Sequence, residues 1–324
     1  MIVATFLKIN LNILILGVGN IGIRHIQGLI NYKKKLVFYI LDTNKNYKSI
    51  FKDEIKEIRL TNDLYEINSL NEIKKINFEL TIISTTANSR IDVLRQIITS
   101  INYKYILLEK PICTSIKDLK YLNTNLNKKI FINFPRRYCD WHNKIKEVLT
   151  KNYTDKIKKI EINGSNLGIA CNACHFVDLI NYWTNKKLIK VDNSRLKKWI
   201  NSKRPGFYEV IGKITFIFEN DVVLTINSDK KFKDFDFKIF DDKSLILTID
   251  YKNKIAKFEN DFKLVGEIKK QSKSSHILLG LLQNQNLNIC KLETEINSHE
   301  KILKSLIDFW NLKNNQKVEE VMIT

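Results

Sequence analysis

Three of the ten glycines in this 324-residue chain fall within six residues, Gly17-Val18-Gly19-Asn20-Ile21-Gly22, directly after the apolar run Asn12-Ile13-Leu14-Ile15-Leu16. Glycine is the residue for backbone that must turn tightly or pass where no side chain fits. A triplet of this spacing between a strand and a helix suits a pyrophosphate: the first glycine makes the turn, the second admits the anion, and the third lets helix pack on strand. The helix N-terminus then faces the phosphates. A second apolar run, Leu36-Val37-Phe38-Tyr39-Ile40-Leu41, ends at Asp42, where the pattern requires an acid. That carboxylate would accept hydrogen bonds from ribose hydroxyls and repel a 2′-phosphate, so NAD is favoured, while Lys45 leaves NADP open.

Other residues with chemical potential lie further on. The chain has three prolines, and Pro111, in Leu108-Glu109-Lys110-Pro111, falls at the carboxyl end of a predicted strand, where open parallel sheets place ligands. Arg136-Arg137 and the turn Lys203-Arg204-Pro205-Gly206-Phe207 could each hold a phosphate or carboxylate through the two-pronged guanidinium, or be solvated surface. Cys171-Asn172-Ala173-Cys174-His175 spells CxxCH, the pattern of covalent haem attachment. No export signal accompanies it, and the only methionines, Met1 and Met322, are poor distal ligands. The cysteines therefore read as two small residues packing where a helix begins, and no metal is expected.

The elements that must position these residues follow from periodicity. Ile23, Ile26 and Ile30 recur at helical spacing after the glycine turn. Strands are predicted at Phe78–Ser84, Tyr103–Leu108 and Ile130–Asn133, alternating with helices at Asn88–Ile101 and Ser115–Leu126. Such alternation predicts an α/β Rossmann domain, a doubly wound parallel sheet, over residues 1–134. Beyond Pro135 the pattern changes to strands at Lys156–Ser165, Tyr208–Phe218, Val222–Asn227, Phe235–Ile239, Ser244–Ile249 and Lys254–Phe258, several joined by short polar turns. With helices at His175–Trp183, Ser275–Leu287 and Glu295–Trp310, residues 135–324 read as an α+β domain with a largely antiparallel sheet.

Composition limits the partners. Lysine and arginine number 54 against 35 acids, a net charge of +19, but lysine is spread over the whole chain rather than gathered into a basic stripe, so no specific nucleic acid is expected. No stretch reaches the roughly 18 apolar residues of a membrane span. Residues 1–10 read as an extension into the first strand. Five cysteines, an odd number, fit a reducing cytoplasm better than a disulfide framework.

The GVGNIG turn, Ser84-Thr85-Thr86-Ala87-Asn88, Glu109-Lys110-Pro111, Asn133-Phe134-Pro135-Arg136-Arg137-Tyr138 and His175-Phe176-Val177-Asp178-Leu179 occur in that order. Together they resemble the Gfo/Idh/MocA family of oxidoreductases (glucose-fructose oxidoreductase, inositol dehydrogenase). The resemblance covers essentially the whole chain. It implies NAD(P)-dependent oxidation or reduction of a sugar, a sugar derivative or a polyol. Arg136-Arg137 and Lys203-Arg204, if they line the cleft, favour a nucleotide-linked or acidic sugar, and exposed faces of the second sheet favour a homo-oligomer, residues 135–324 then serving substrate binding and oligomerisation. A non-catalytic NAD- and sugar-binding protein of the same fold is the alternative. The resemblance places Gly17, Gly19, Asn20, Ile21, Gly22, Asp42, Thr85 and Glu109 at the cofactor. It implies that Lys110, aimed by a cis Pro111, and His175 handle the substrate hydroxyl and its proton, with Arg136, Arg137, Cys171 and Asn172 near the substrate. Two departures stand out. Cys171 occupies the position, four residues before His175, where the family usually has an aspartate, and Arg90 stands where a histidine is common; Arg90 would meet an acidic substrate or be solvated.

Overall fold

The computed structural model describes residues 10–124, 129–284 and 288–324. The opening residues 1–9, residues 125–126 of the helix expected to reach Leu126 and residues 285–287 of the one expected to reach Leu287 lie outside the described residues.

The first part runs β1 (Leu11–Leu16), α1 (Asn20–Leu29), β2 (Leu36–Leu41), α2 (Tyr47–Ile50), α3 (Lys52–Thr61), β3 (Asp63–Glu66), β4 (Asn77–Ile83), α4 (Ala87–Ser100), β5 (Asn102–Leu108), α5 (Ile116–Thr124) and β6 (Ile130–Ile132). These six strands are all parallel, in the order β3-β2-β1-β4-β5-β6. That is the doubly wound Rossmann order. Helices cover both faces of such a sheet, which is why Ile13, Leu14, Ile15, Ile82 and Leu107 are wholly buried and their strands read as apolar runs.

The second part runs α6 (Asp140–Asn152), β7 (Lys159–Gly164), α7 (Ile169–Thr184), β8 (Leu188–Asp192), β9 (Leu196–Asn201), β10 (Tyr208–Phe218), β11 (Val223–Ser228), β12 (Asp236–Phe240), β13 (Leu245–Asp250), β14 (Ile255–Phe258), β15 (Lys263–Val265), α8 (Ser275–Gln283), β16 (Cys290–Lys291) and α9 (Leu292–Asn314). Strands β7 to β15 form a nine-stranded sheet that is antiparallel except where β7 pairs with β11. Alternate residues of β10 are buried, and α7 packs on this sheet through β10 and β11.

Besides strands β3, β8, β9 and β15, which the sequence reading lacked, two further features depart from expectation. Helix α7 begins at Ile169, six residues before the expected His175, so the CxxCH residues lie inside it. The chain also returns to the first sheet: β16 pairs antiparallel with β6, and α8 packs against α1.

Candidate active site

At the end of β1 the glycine turn is held from three sides. Gly17 adopts φ +87, and a Cβ there would lie 2.8 Å from the Thr85 amide nitrogen; a Cβ on Gly22 would lie 2.1 Å from the Gly17 carbonyl oxygen. The Ser84 hydroxyl donates to that carbonyl at 2.7 Å. The Val18 amide donates to Asp42 Oδ2 at 2.6 Å, tying the turn to the end of β2, while Oδ1 takes the Asn44 amide at 2.8 Å. Nothing lies within 4 Å of a Cβ built on Gly19, and no side chain caps α1 there. The result is a bare backbone cradle at a helix N-terminus, with a carboxylate at the neighbouring strand end. Both are what a dinucleotide pyrophosphate and ribose require.

This cradle opens into a cleft of about 490 Å³ bordered by Gly19, Asn20, Ile21, Thr85, Glu109 and Lys110 from the first part and by Cys171, Asn172, Lys203, Arg204 and Glu209 from the second. The Lys110-Pro111 bond is cis, as the motif implies. Lys110 Nζ donates to Asn172 Oδ1 at 2.9 Å and to Cys171 Sγ at 3.1 Å. Burial presses down on its ammonium, but Cys171, Cys174 and Glu109 outweigh that and hold it above the ordinary lysine value. Lys110 is thus a cationic donor at neutral pH.

The backbone around Lys110 is fixed by Arg90. This side chain is buried and donates to the carbonyl oxygens of Glu109 (2.7 Å), Pro111 and Thr85. Burial lowers its value to about 10, so it stays charged. Arg90 is therefore not solvated: its two terminal nitrogens go to main-chain carbonyls, and the residue borders the cleft. Glu109 borders the cleft, yet its carboxylate turns inward to His25 Nε2 (2.8 Å) and Asn133 Nδ2 (2.5 Å). Burial pushes that carboxyl up, and His25, Asn133 and Arg90 together hold it below the usual range.

His175 and Arg136 face a second groove of about 510 Å³, which meets the cleft at Asn166 and Asn172. His175 stacks edge-on against Phe134, and its Nδ1 has no hydrogen-bond partner among the described residues. Burial, with Lys110 and Arg136 nearby, depresses its value well below the ordinary one, so the ring is neutral. Arg136 donates to the Tyr251 hydroxyl at 2.9 Å and lies over the Phe176 ring. Arg137 is not brought to either space: its Nε pairs with the buried Asp178 at 2.7 Å. The structure therefore gathers Lys110, Cys171 and Asn172 at the glycine turn, puts His175 and Arg136 one groove away, and sends Arg137 elsewhere.

Glu209, on β10, escaped the sequence reading. Its carboxylate accepts the amides of Cys171 (2.8 Å) and Ala170 (3.1 Å), capping the first turn of α7 beside Lys110. Burial pushes it up to about 7, with those amides and Lys110 opposing. No local pattern marks it, because its role arises from a helix 38 positions earlier in the chain. The same cap explains the early start of α7: Gly168 takes a left-handed turn and Glu209 supplies the amide acceptor that no nearby side chain provides.

A parallel sheet in this order with a glycine cradle at its switch point defines a dinucleotide-binding Rossmann protein. Residues 11–132 match the model of the oxidoreductase family with an NAD-binding Rossmann fold, Gfo/Idh/MocA. No curated protein matches the chain in sequence. Among solved structures the chain is similar in fold to scyllo-inositol dehydrogenase of Lactobacillus casei with bound NAD(H) and scyllo-inositol (TM-score 0.64, 14% identity, covering 94% of this chain and 96% of that one). It is also similar to myo-inositol 2-dehydrogenase of Lactobacillus plantarum (0.64, 15%, 96% and 100%) and to UDP-N-acetylglucosamine 3-dehydrogenase of Acidithiobacillus ferrooxidans (0.65, 13%, 92% and 96%). No described helix is long and apolar enough to cross a membrane.

Proposed function

We propose that the protein is an NAD-dependent dehydrogenase or reductase acting on a CH–OH group of a sugar, with a nucleotide-linked or acidic sugar as substrate. The observation that carries this is the Lys110 ammonium standing in one cleft with the glycine cradle, a cleft that Lys203 and Arg204 also line with positive charge. The names of the similar structures, inositol and UDP-N-acetylglucosamine dehydrogenases, support a polyol or sugar nucleotide. In this reading residues 1–134 bind cofactor, residues 135–324 bind substrate, and the latter lend α8 and β16 back to the former.

Gly17, Gly19, Asn20, Ile21, Gly22 and Thr85 would hold the pyrophosphate and Asp42 the adenosine ribose. NAD, when bound, supplies the hydride acceptor. Lys110 donates a hydrogen bond to the substrate oxygen and stabilises negative charge that develops there. Because its ammonium is held charged, it takes up the substrate's proton only after passing one on. Glu209, poised near 7 beside it, is the neighbouring acceptor. Asn172 fixes the ammonium, and a substrate lying across Asn172 reaches the neutral imidazole of His175 and the guanidinium of Arg136 in the second groove.

Turnover of purified protein with NAD and NADH over a panel of nucleotide sugars, uronic acids and polyols tests this. Lys110→Ala is expected to lower kcat/KM by about 10²- to 10⁴-fold with NADH affinity kept; an unchanged rate rejects the assignment. A non-catalytic NAD- and sugar-binding protein is the second reading, favoured by a thiol rather than a carboxylate as the partner of Lys110. It requires NADH binding with no turnover anywhere in the panel.

A further inference from the structure

We propose that Asp178, Cys290 and Glu295 form a structural site for one divalent transition-metal ion of the zinc class, buried where the C-terminal segment joins α7. One carboxyl oxygen of each acid and the Cys290 sulfur lie within 4.8 Å of one another. Asp178 is wholly buried, and Cys290 and Glu295 are each 1% exposed. The donors are thiolate and carboxylate, a set that suits zinc. At zinc bond lengths of about 2.0 to 2.3 Å, tetrahedral ligands stand roughly 3.4 to 3.8 Å apart, so rotamer adjustments of about 1 Å close the set.

A second observation points to a ligand. Glu295 Oε1 is buried and has no hydrogen-bond partner among the described residues, and beyond Arg137 the Asp178 carboxyl has only the Cys290 thiol to bond with. Two carboxyl groups that shared a proton would bond to each other through such atoms, and these do not. An unpaired buried acceptor is costly, by about 1 to 3 kcal/mol or more when charged, which is why native structures avoid it. The other oxygen of Asp178 takes the Arg137 Nε–H at 2.7 Å, the outer hydrogen bond that typically orients a ligating carboxylate. Charge also balances: three anionic ligands, the Arg137 cation and a divalent ion together are neutral.

The position argues for a structural role. Asp178 lies about two helical turns beyond Cys171 on α7, Cys290 lies on the strand that pairs with β6, and Glu295 is in the first turn of α9. An ion here would pin α7, β16 and α9 to one point without touching the cleft, so the proposal stands apart from the sugar dehydrogenase reading.

The test uses the full chain, purified without a metal-affinity tag and dialysed against metal-free buffer. The expected result is about one equivalent of zinc per chain by plasma mass spectrometry, retained against a weak chelator. After stripping, Co²⁺ is expected to restore the thermal midpoint and to give a thiolate charge-transfer absorption. Cys290→Ser and Glu295→Gln should each abolish stoichiometric binding, while Cys139→Ser, at a buried thiol elsewhere, should not. NADH binding reports that each variant is folded. A wild-type chain that holds no stoichiometric ion, and that shows neither the cobalt–thiolate band nor a midpoint shift on titration, overturns the proposal. Protons on Glu295 and Cys290 alone would then neutralise the cluster.

Discussion

Lys110 and Glu209 form a cation and a carboxyl whose protonation states are set against each other by one cleft. Because burial raises Glu209 from 4.5 to about 7, the folded chain holds its proton more tightly than the unfolded chain does. Its contribution to stability is therefore full below the ordinary carboxylate value and is lost as pH rises through about 7. Glu209→Gln should flatten the slope of the denaturation midpoint between pH 4.5 and 7 and remove the limb near 7 from the pH profile of kcat/KM. A Glu209→Gln profile identical to wild type would refute both expectations. Arg90→Met leaves two buried carbonyl oxygens and a third, part-buried one without their donor and should destabilise the fold by on the order of 3 kcal/mol or more. Urea denaturation measures it. Gly17, Gly22, Asp42 and Lys110 were legible in the sequence because each is demanded by its own few neighbours. Arg90 and Glu209 were not, since their partners are brought to them only by tertiary packing.

At the scale of elements, the turn between β1 and α1 separates what the fold needs from what the ligand needs. Gly22→Ala forces a Cβ into the Gly17 carbonyl, whereas Gly19→Ala meets nothing. Gly22→Ala should therefore lower the thermal midpoint, and Gly19→Ala should leave it unchanged while weakening NAD affinity; calorimetry and an NAD titration read the two effects separately. Strands β1, β2, β4, β5 and β6 could be read from sequence because buried parallel strands are continuous apolar runs, whereas β3, a short and half-exposed edge strand, could not. Strands β8 and β9 could not. Lys190 on β8 and Lys197 and Lys198 on β9 face solvent, so the apolar alternation that marks a half-buried strand is diluted. The reach of α7 was hidden for a different reason: its first two turns carry Cys and Asn, indifferent helix formers, and its cap comes from another strand.

Across the whole molecule, the charge of +19 and the basic wall of the cleft should attract anionic substrates, so kcat/KM for an acidic sugar is expected to fall as salt rises while that for a neutral polyol stays level. The proposed homo-oligomer would cover the outer face of the nine-stranded sheet, where Ile189 (53% exposed), Leu245 (38%) and Val265 (76%) project, and light scattering reads its mass. The two sheets are not independent bodies. His25 on α1 links to Glu109 and to Ser275 and Gln271 at the start of α8, and Gly28 admits that segment because a Cβ there would lie 2.4 Å from the Gln271 carbonyl oxygen. Residues 1–134 expressed alone lack the β16 partner for β6 and the α8 cover on α1, and should aggregate on size-exclusion chromatography. The returning tail also sets a timetable during protein synthesis. The coenzyme-holding half emerges from the ribosome first, yet its final strand is translated more than 150 residues after β6, so stalled nascent chains ending before that strand should stay open to protease even with dinucleotide present.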